Sequence, residues 1–153
     1  MSEIKDSQLE AYRAGKAELK DLLEIGPEYL AALKGRAQFF VSGGHTERAL
    51  LMLEMLEELD RTDPTPSLIA ASLFVADGRS DRAEEKIEAV LARLPNHSDA
   101  EVAKAELKIA IGELVPAAAL LRSVIARDPK GATEAGRRAL AVAAAAQARF
   151  ERG

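Results

Sequence analysis

The side chains that most often carry out chemistry are few in this 153-residue sequence, and they lie far apart along it. There are two histidines, His45 and His97, and no cysteine, so a thiol nucleophile, a thiolate zinc site and a disulfide are excluded. Neither histidine belongs to an HExxH or HxxxH motif. Both lie in predicted turns, where a solvent-exposed role is the simplest interpretation. The sequence therefore predicts no metal site.

Acidic pairs and glycines give no stronger signal for catalysis. The pairs Glu57-Glu58 and Glu84-Glu85 lie in helical segments beside basic residues, which is typical of a solvated helix face rather than of an acid–base dyad. Gly43-Gly44 belongs to neither a GxxxxGK[ST] loop nor a GxGxxG motif, so it predicts a turn and not a phosphate site. We expect no catalytic residues, no cofactor and no enzymatic activity.

The net charge limits the classes of partner that the chain is expected to bind. The net charge is −4, which argues against a nucleic-acid-binding protein, because such a protein would carry a basic patch to neutralise phosphates. The N-terminal segment lacks the apolar core of a signal peptide, and no apolar run approaches the roughly 20 residues that span a bilayer. We therefore expect a cytoplasmic protein that does not insert into membranes.

Charge is also unevenly distributed along the chain. Residues 1–30 hold seven acids and four bases, whereas residues 118–153 hold seven bases and three acids. Solvated helix faces explain this pattern most simply. The alternative is that the two ends attract one another or a partner of opposite charge.

A period of thirty-four residues organises the central part of the chain. The turn glycines that keep this period are Gly44, Gly78 and Gly112, and a small residue follows each of them five positions later, at Ala49, Ala83 and Ala117. Apolar residues follow in the same register, at Leu53, Ile87 and Leu121 and then at Leu56, Val90 and Val124. Pro95 and Pro129 end the second and third units, whereas the first unit has Arg61 at that position. Such a period predicts stacked helical hairpins.

Each repeated position has a physical role in such a hairpin. Glycine allows the turn, alanine allows two helices to cross closely, and the larger apolar residues form the inward stripe of the second helix. The predicted helices cover about 6–25, 30–44, 46–61, 66–77, 80–94, 98–111, 116–127 and 132–151. Ser98 with Glu101 resembles a capping box, Thr65 a hydroxyl cap before Pro66, and Pro116 a residue of a first helical turn.

This glycine–alanine–apolar–proline order over residues 30–131 resembles the tetratricopeptide-repeat (TPR) family. The resemblance implies a single all-α domain, a TPR-like α-solenoid with repeats at 30–63, 64–97 and 98–131 between flanking helices at 1–29 and 132–153. One departure lies in the third unit, where Glu101, Lys104 and Lys108 occupy positions that the family usually fills with packing residues. That helix is either rotated about its axis or packed differently on the second unit.

The family binds peptides on the concave surface formed by the first helix of each repeat. Carried over by register, the resemblance implies a partner-binding groove of Lys34, Gln38, Val41, Leu68, Ile69, Ser72, Val75, Val102, Glu106 and Ile109. Its central positions are apolar, as expected of an interaction site. The competing interpretation is that a terminal helix of the same chain covers these residues.

The same register argues against one kind of ligand. TPR proteins that grip an acidic C-terminal tail resemble one another in a basic and amide clamp, of which only Lys34 and Gln38 have counterparts here. Ile69 and Ala103 stand where further clamp residues would be. We therefore expect a protein or peptide ligand that is an extended segment with apolar anchors.

The segment LLEIGPEYLAAL followed by the turn GGHTERA looks like the small TPR chaperones of bacterial type III secretion. This resemblance implies a chaperone that masks an apolar segment of a secreted or export-apparatus partner. The alternative is a general TPR scaffold that helps to assemble a multiprotein complex. A homodimer is also possible, because a stack of repeats leaves apolar ends.

Overall fold

A computed structural model describes residues 3–152, and within that range every regular element is an α-helix. The all-α prediction is confirmed. The helices are α1 (Asp6–Arg13), α2 (Leu19–Leu22), α3 (Pro27–Ser42), α4 (Thr46–Leu59), α5 (Thr65–Ala76), α6 (Ser80–Arg93), α7 (Ser98–Ala110), α8 (Leu114–Arg127) and α9 (Glu134–Arg152).

The chain divides into two compact units, Met1–Ala70 and Ala71–Gly153. In the first unit α3 packs against α4, and the short helix α2 contacts both α1 and α4. Its core consists of small and branched apolar side chains that are less than one-tenth exposed, among them Ala37, Ala49, Leu53, Leu56 and Leu59. The inward stripe predicted for the second helix of the first repeat is therefore confirmed.

In the second unit α7 is the central helix, because it packs against α6, α8 and α9. Its core cluster comprises Val102, Ala105, Ala117, Leu121, Val124 and Ala139. Half-buried residues of α9, Val142 and Ala143, pack on the edge of this cluster. The C-terminal helix thus closes the third hairpin, as expected of a flanking helix in a repeat protein.

The positions that define the thirty-four-residue period have the geometry that the sequence predicts. Gly44, Gly78 and Gly112 have φ angles of 71°, 72° and 84°, a region that side-chain-bearing residues rarely adopt. The three alanines that follow them are all fully buried, with 0% exposure at Ala49 and Ala83 and 1% at Ala117. The residue sizes and the backbone angles therefore repeat together.

The predicted N-terminal helix over 6–25 is wrong in its length. The backbone turns at Gly15, whose φ is 68°, and the Lys16 amide donates to the Ala11 carbonyl oxygen at 2.8 Å, which ends α1. Helix α2 is a separate turn whose start is capped by Asp21, which accepts from the Glu18 amide at 3.0 Å.

The helix starts also differ from two of the predicted caps. His97, and not Ser98, caps α7, and its Nδ1 accepts from the Ala100 amide at 3.3 Å. Thr65 is already helical, and its amide donates to the Asp63 carboxylate at 2.9 Å. Pro116 lies in the first turn of α8, where a missing N–H leaves no intrahelical hydrogen bond unmade.

The unusual charged residues of the third repeat form ion pairs with their neighbours. Two of the pairs join α7 to α6: Lys104 lies 2.5 Å from Glu88, and Lys108 lies 3.5 Å from Glu84. The third joins α7 to α8, where Glu101 pairs with Arg127. Helix α7 still places apolar residues against α8 and α9. The contact between α6 and α7 therefore differs from the usual TPR contact, because ion pairs occupy positions that the family usually fills with packing residues.

Candidate functional site

A cavity of about 290 Å³ opens in the first unit, where α3, α4 and the start of α5 meet. Its walls are mainly apolar, and the residues that line it are Lys34, Gly35, Ala37, Gln38, Val41, Leu53, Leu56, Thr65, Pro66 and Ile69. Four of the predicted groove residues, Lys34, Gln38, Val41 and Ile69, therefore lie around one cavity. We call it the α3–α5 cavity.

The repeat pattern explains how the chain forms this cavity. Leu53 and Leu56 belong to the inward stripe of α4 and form its floor, because they are 1% and 3% exposed. Ala37 of α3 is 3% exposed and too small to fill the space above them. Val41 and Ile69 are half-buried and present apolar surface from α3 and α5. The result is a recess suited to apolar side chains.

The polar groups at the cavity are engaged by neighbours of this chain. The Lys34 ammonium lies 2.7 Å from Asp63 Oδ2, and the Gln38 side-chain amide donates to Ser42 Oγ at 3.2 Å. Burial of Asp63 opposes its ionisation, but the hydrogen bonds from Lys34 and Thr65 outweigh that effect, so the pKa of Asp63 lies below its ordinary value. The positive charge of Lys34 is therefore neutralised within the protein.

The Lys34–Asp63 ion pair affects which class of ligand the cavity can bind. A carboxylate ligand would have to displace Asp63 from Lys34, and no other lysine or arginine lines the cavity among the residues that the structure describes. Anionic groups need several charge-assisted donors when they leave water. The α3–α5 cavity is therefore poorly suited to an acidic tail and better suited to an apolar anchor.

Three further predicted groove residues lie on α5. Leu68 is 8% exposed and contributes to the core, whereas Ser72 and Val75 are half-buried. Leu68 therefore contributes mainly to the core. The assignment of Ser72 and Val75 to a groove stays a prediction.

The predicted groove residues on α7 contact other parts of the second unit. Val102 is 0% exposed within the core cluster, and Ile109 packs against the same cluster. Glu106 accepts from Arg138 of α9, with 2.9 Å between Arg138 Nε and Glu106 Oε1. The prediction that Val102 faces a partner is wrong, because α8 and α9 bury this face of α7.

The histidines have local structural roles. His45 is an exposed residue at the start of α4, and its ring meets the edge of Phe40 with 6.2 Å between centroids. His97 caps α7. Between residues 3 and 152 the structure brings together no group of three or more His, Cys, Asp or Glu side chains that could hold a metal ion.

Asp63, the partner of Lys34 at the edge of the candidate site, was missed by reasoning from sequence. It lies twenty-nine positions from Lys34, and no pattern in the chain links the two. The local order Asp63-Pro-Thr65 does contain a signal, because an aspartate two residues before a helix can accept the first amide of that helix. A search for caps on each helix start could have located Asp63, although not its partner.

Comparison with known proteins agrees with this architecture. A family model described as a tetratricopeptide repeat matches residues 74–142, which include α6, α7 and α8. The chain has the TPR fold. No curated protein sequence matches it significantly.

Several solved structures are similar to the chain. One is the type III secretion translocator chaperone SycD from Yersinia enterocolitica, with a TM-score of 0.73, 23% identity and coverage of 84% of this chain and 98% of SycD. Another is a type III secretion complex from Aeromonas hydrophila, with a TM-score of 0.73, 19% identity and coverage of 95% and 99%.

A third structure is the first TPR domain of Spaghetti (RPAP3), bound to the HSP90 peptide SRMEEVD. It has a TM-score of 0.61, 17% identity and coverage of 78% of this chain and 97% of that one. At these identities the likenesses establish a shared TPR fold, and the chain resembles TPR chaperones of type III secretion in that sense.

Within residues 3–152, no helix combines the length and the apolar composition that a membrane span requires.

Proposed function

We propose that this chain is a non-catalytic TPR module that acts in the cytoplasm as a type III secretion chaperone. In this role it masks an apolar segment of a secreted or export-apparatus partner until that partner is exported. The observation that carries the proposal is the α3–α5 cavity, whose floor is apolar and whose lysine, Lys34, is paired with Asp63. The similarity in fold to SycD and to the Aeromonas complex supports the choice of partner class.

The mechanism follows from the chemistry of the cavity. An apolar side chain of the partner enters between α3 and α5 and loses contact with water, which contributes about 1.5–3 kcal/mol for a Leu, Ile or Met side chain. Gln38 and Thr65 line the same cavity, and beyond their bonds within the chain the Gln38 carboxamide oxygen and the Thr65 hydroxyl oxygen can accept from backbone N–H groups of the partner. Masking then requires no reaction, because the bound segment is unavailable for aggregation or early assembly.

One form that the general TPR scaffold could take is an adaptor like the one in the HSP90-peptide complex. A TPR adaptor of that kind would recognise an acidic peptide, for which SRMEEVD is the example. The Lys34–Asp63 pair favours the chaperone over this alternative, because the cavity offers an acidic peptide one cation that is already engaged.

Co-expression tests the proposal. Candidate secretion substrates should become soluble with the wild-type chain, and Val41→Asp, Ile69→Asp and Gln38→Arg should abolish this effect while helicity is retained. Leu51→Asp is the matched control, because Leu51 is 67% exposed on α4 and does not line the cavity. A partner that stays soluble with all three cavity variants would show that this cavity does not mask it.

A further inference from the structure

Gly35 lies in the middle of α3, where a glycine weakens the helix because it loses more conformational freedom on folding than other residues. The other glycine inside a helix between residues 3 and 152 is Gly136 of α9, where an added Cβ would collide with the Asp128 carboxylate. At Gly35 an added Cβ would meet no atom within 4 Å, apart from its chain neighbours and the backbone of its own helix, and φ is not positive. The packing of this chain therefore does not require a glycine at position 35.

The missing side chain leaves the backbone of α3 as part of the wall of the α3–α5 cavity. Gly35 is exposed and lines that cavity. Glycine is the residue that allows a ligand to approach a backbone closely. A flat group that lies on Gly35 can therefore come within about 3.5–4 Å of the backbone atoms of α3, which is van der Waals contact.

The volume of the cavity sets the size of the group that fills it. At roughly 30 Å³ for each non-hydrogen atom, the share of one molecule in liquid water, its 290 Å³ hold about ten such atoms. A tryptophan side chain has ten, whereas a leucine side chain has four and would leave part of the walls without contacts. No aromatic residue lines the cavity within the part of the chain that the structure describes, so a ring would come from the partner.

The charge at the cavity complements an aromatic ring. The face of such a ring carries partial negative charge and attracts a cation. The Lys34 ammonium has three N–H donors, so it can face a ring while it stays bonded to Asp63. A ring is uncharged and does not have to displace Asp63, and an indole N–H can donate to the carboxamide oxygen of Gln38, which lies one turn along α3 from Gly35.

We infer that the anchor which enters the α3–α5 cavity is an aromatic side chain of the size of tryptophan, and that its ring lies on the α3 backbone at Gly35. The inference rests on the proposed function, because it specifies the anchor of the masked segment. Gly35 then determines specificity, since any side chain at position 35 would occupy the place of the ring.

Two capped amino acids, N-acetyl-tryptophanamide and N-acetyl-leucinamide, serve as probes. Each is titrated into the full isotope-labelled chain, and the backbone amide signals are followed by NMR. The tryptophan probe should shift the signals of Gly35 and Gln38 and bind about ten-fold more tightly than the leucine probe. A tryptophan probe that does not bind, that leaves the Gly35 signal unshifted, or that binds no more tightly than the leucine probe would overturn the inference.

Substitutions at position 35 separate recognition from folding. Gly35→Ala should raise Tm by roughly 2–4 °C, because alanine favours the helix and meets no neighbour, and yet weaken binding of the tryptophan probe about three-fold or more. Gly35→Leu should abolish this binding. Its control is Ala32→Leu, which enlarges an exposed residue of α3 outside the cavity and should bind the probe like the wild type.

Two results with these variants would contradict the inference. One is a lower Tm for Gly35→Ala, which would show that folding requires the glycine. The other is a Gly35→Leu variant that binds the tryptophan probe as tightly as the wild type does. Because no partner is present, a failed titration refutes the aromatic anchor alone, whereas the co-expression experiment refutes the masking function.

Discussion

Ala83 is a buried position at which the repeat pattern predicts a close helix crossing, and the sign of the effect of enlarging it tests that prediction. Ala83 is 0% exposed on α6, and Ala83→Leu adds three carbon atoms at that point. If the structure left room for them, their burial would stabilise the protein by about 2 kcal/mol, at roughly 0.8 kcal/mol per carbon. Without room, overpacking costs about 1–3 kcal/mol. We expect destabilisation, because the same small residue recurs buried at Ala49 and Ala117.

Thermal unfolding followed by circular dichroism measures this difference. A loss of 1–3 kcal/mol in a chain of this size corresponds to a fall in Tm of roughly 2–12 °C. The matched control is Ala89→Leu, since Ala89 is exposed on the same helix and carries the same change in helix propensity. We expect the control to unfold within about 2 °C of the wild type, because an exposed substitution changes stability by only about 0.5 kcal/mol.

The Tm values of the two variants can refute this explanation. A Tm for Ala83→Leu that equals or exceeds the Tm of Ala89→Leu, with both transitions cooperative, would mean that the alanine is not required by a close crossing. The interpretation of the repeated alanines as residues that must be small would then be wrong.

Four further predictions concern charge and backbone conformation. The partners of Asp63 lower its pKa, so Asp63 contributes its full stabilisation above the ordinary pKa of 3.8. This stabilisation is lost as pH falls from 3.8 through the lower pKa of the folded state. An acid titration of helicity should therefore show a smaller loss over this pH range for Asp63→Asn than for the wild type. Gly78→Ala should lower the free energy of unfolding by about 1 kcal/mol because φ is 72° there; apart from the two chain neighbours no atom lies within 4 Å of the added carbon, so the backbone angle alone causes the loss. Glu24→Gly should raise the free energy of unfolding by about 1 kcal/mol, because Glu24 has a φ of 54°. Urea denaturation measures both changes. Glu88→Gln should cost less than about 1 kcal/mol, and the cost should vanish in about 1 M salt, since its pair with Lys104 is partly exposed.

Sequence reasoning located the repeats because their determinants are local. A glycine with a positive φ, an alanine five residues later and an apolar stripe each act within one hairpin, so their spacing is visible in the chain. The N-terminal segment was predicted less well. Its apolar residues have helical spacing across Gly15, but the glycine ends the helix there, and periodicity alone does not reveal a break.

The candidate site was predictable only in part for a related reason. Lys34, Gln38, Val41 and Ile69 follow from repeat register, and they do line one cavity. The register does not say which further element covers a helix face. Helix α9 covers α7 by placing Ala139 in the core cluster against which Ile109 packs, and through the Arg138–Glu106 pair. Such pairings between distant residues leave no mark in a single sequence.

Site-specific photocrosslinking shows whether an apolar segment of the partner binds at the α3–α5 cavity. A photoreactive side chain replaces Gln38 at the α3–α5 cavity or, as a control, Glu54 on the exposed side of α4. The chain is then irradiated with its co-expressed partner, and the crosslinked peptides are identified by mass spectrometry. We predict a crosslink from position 38 to an apolar segment of the partner and none from position 54. A partner that crosslinks at position 54 and not at position 38 would contradict it.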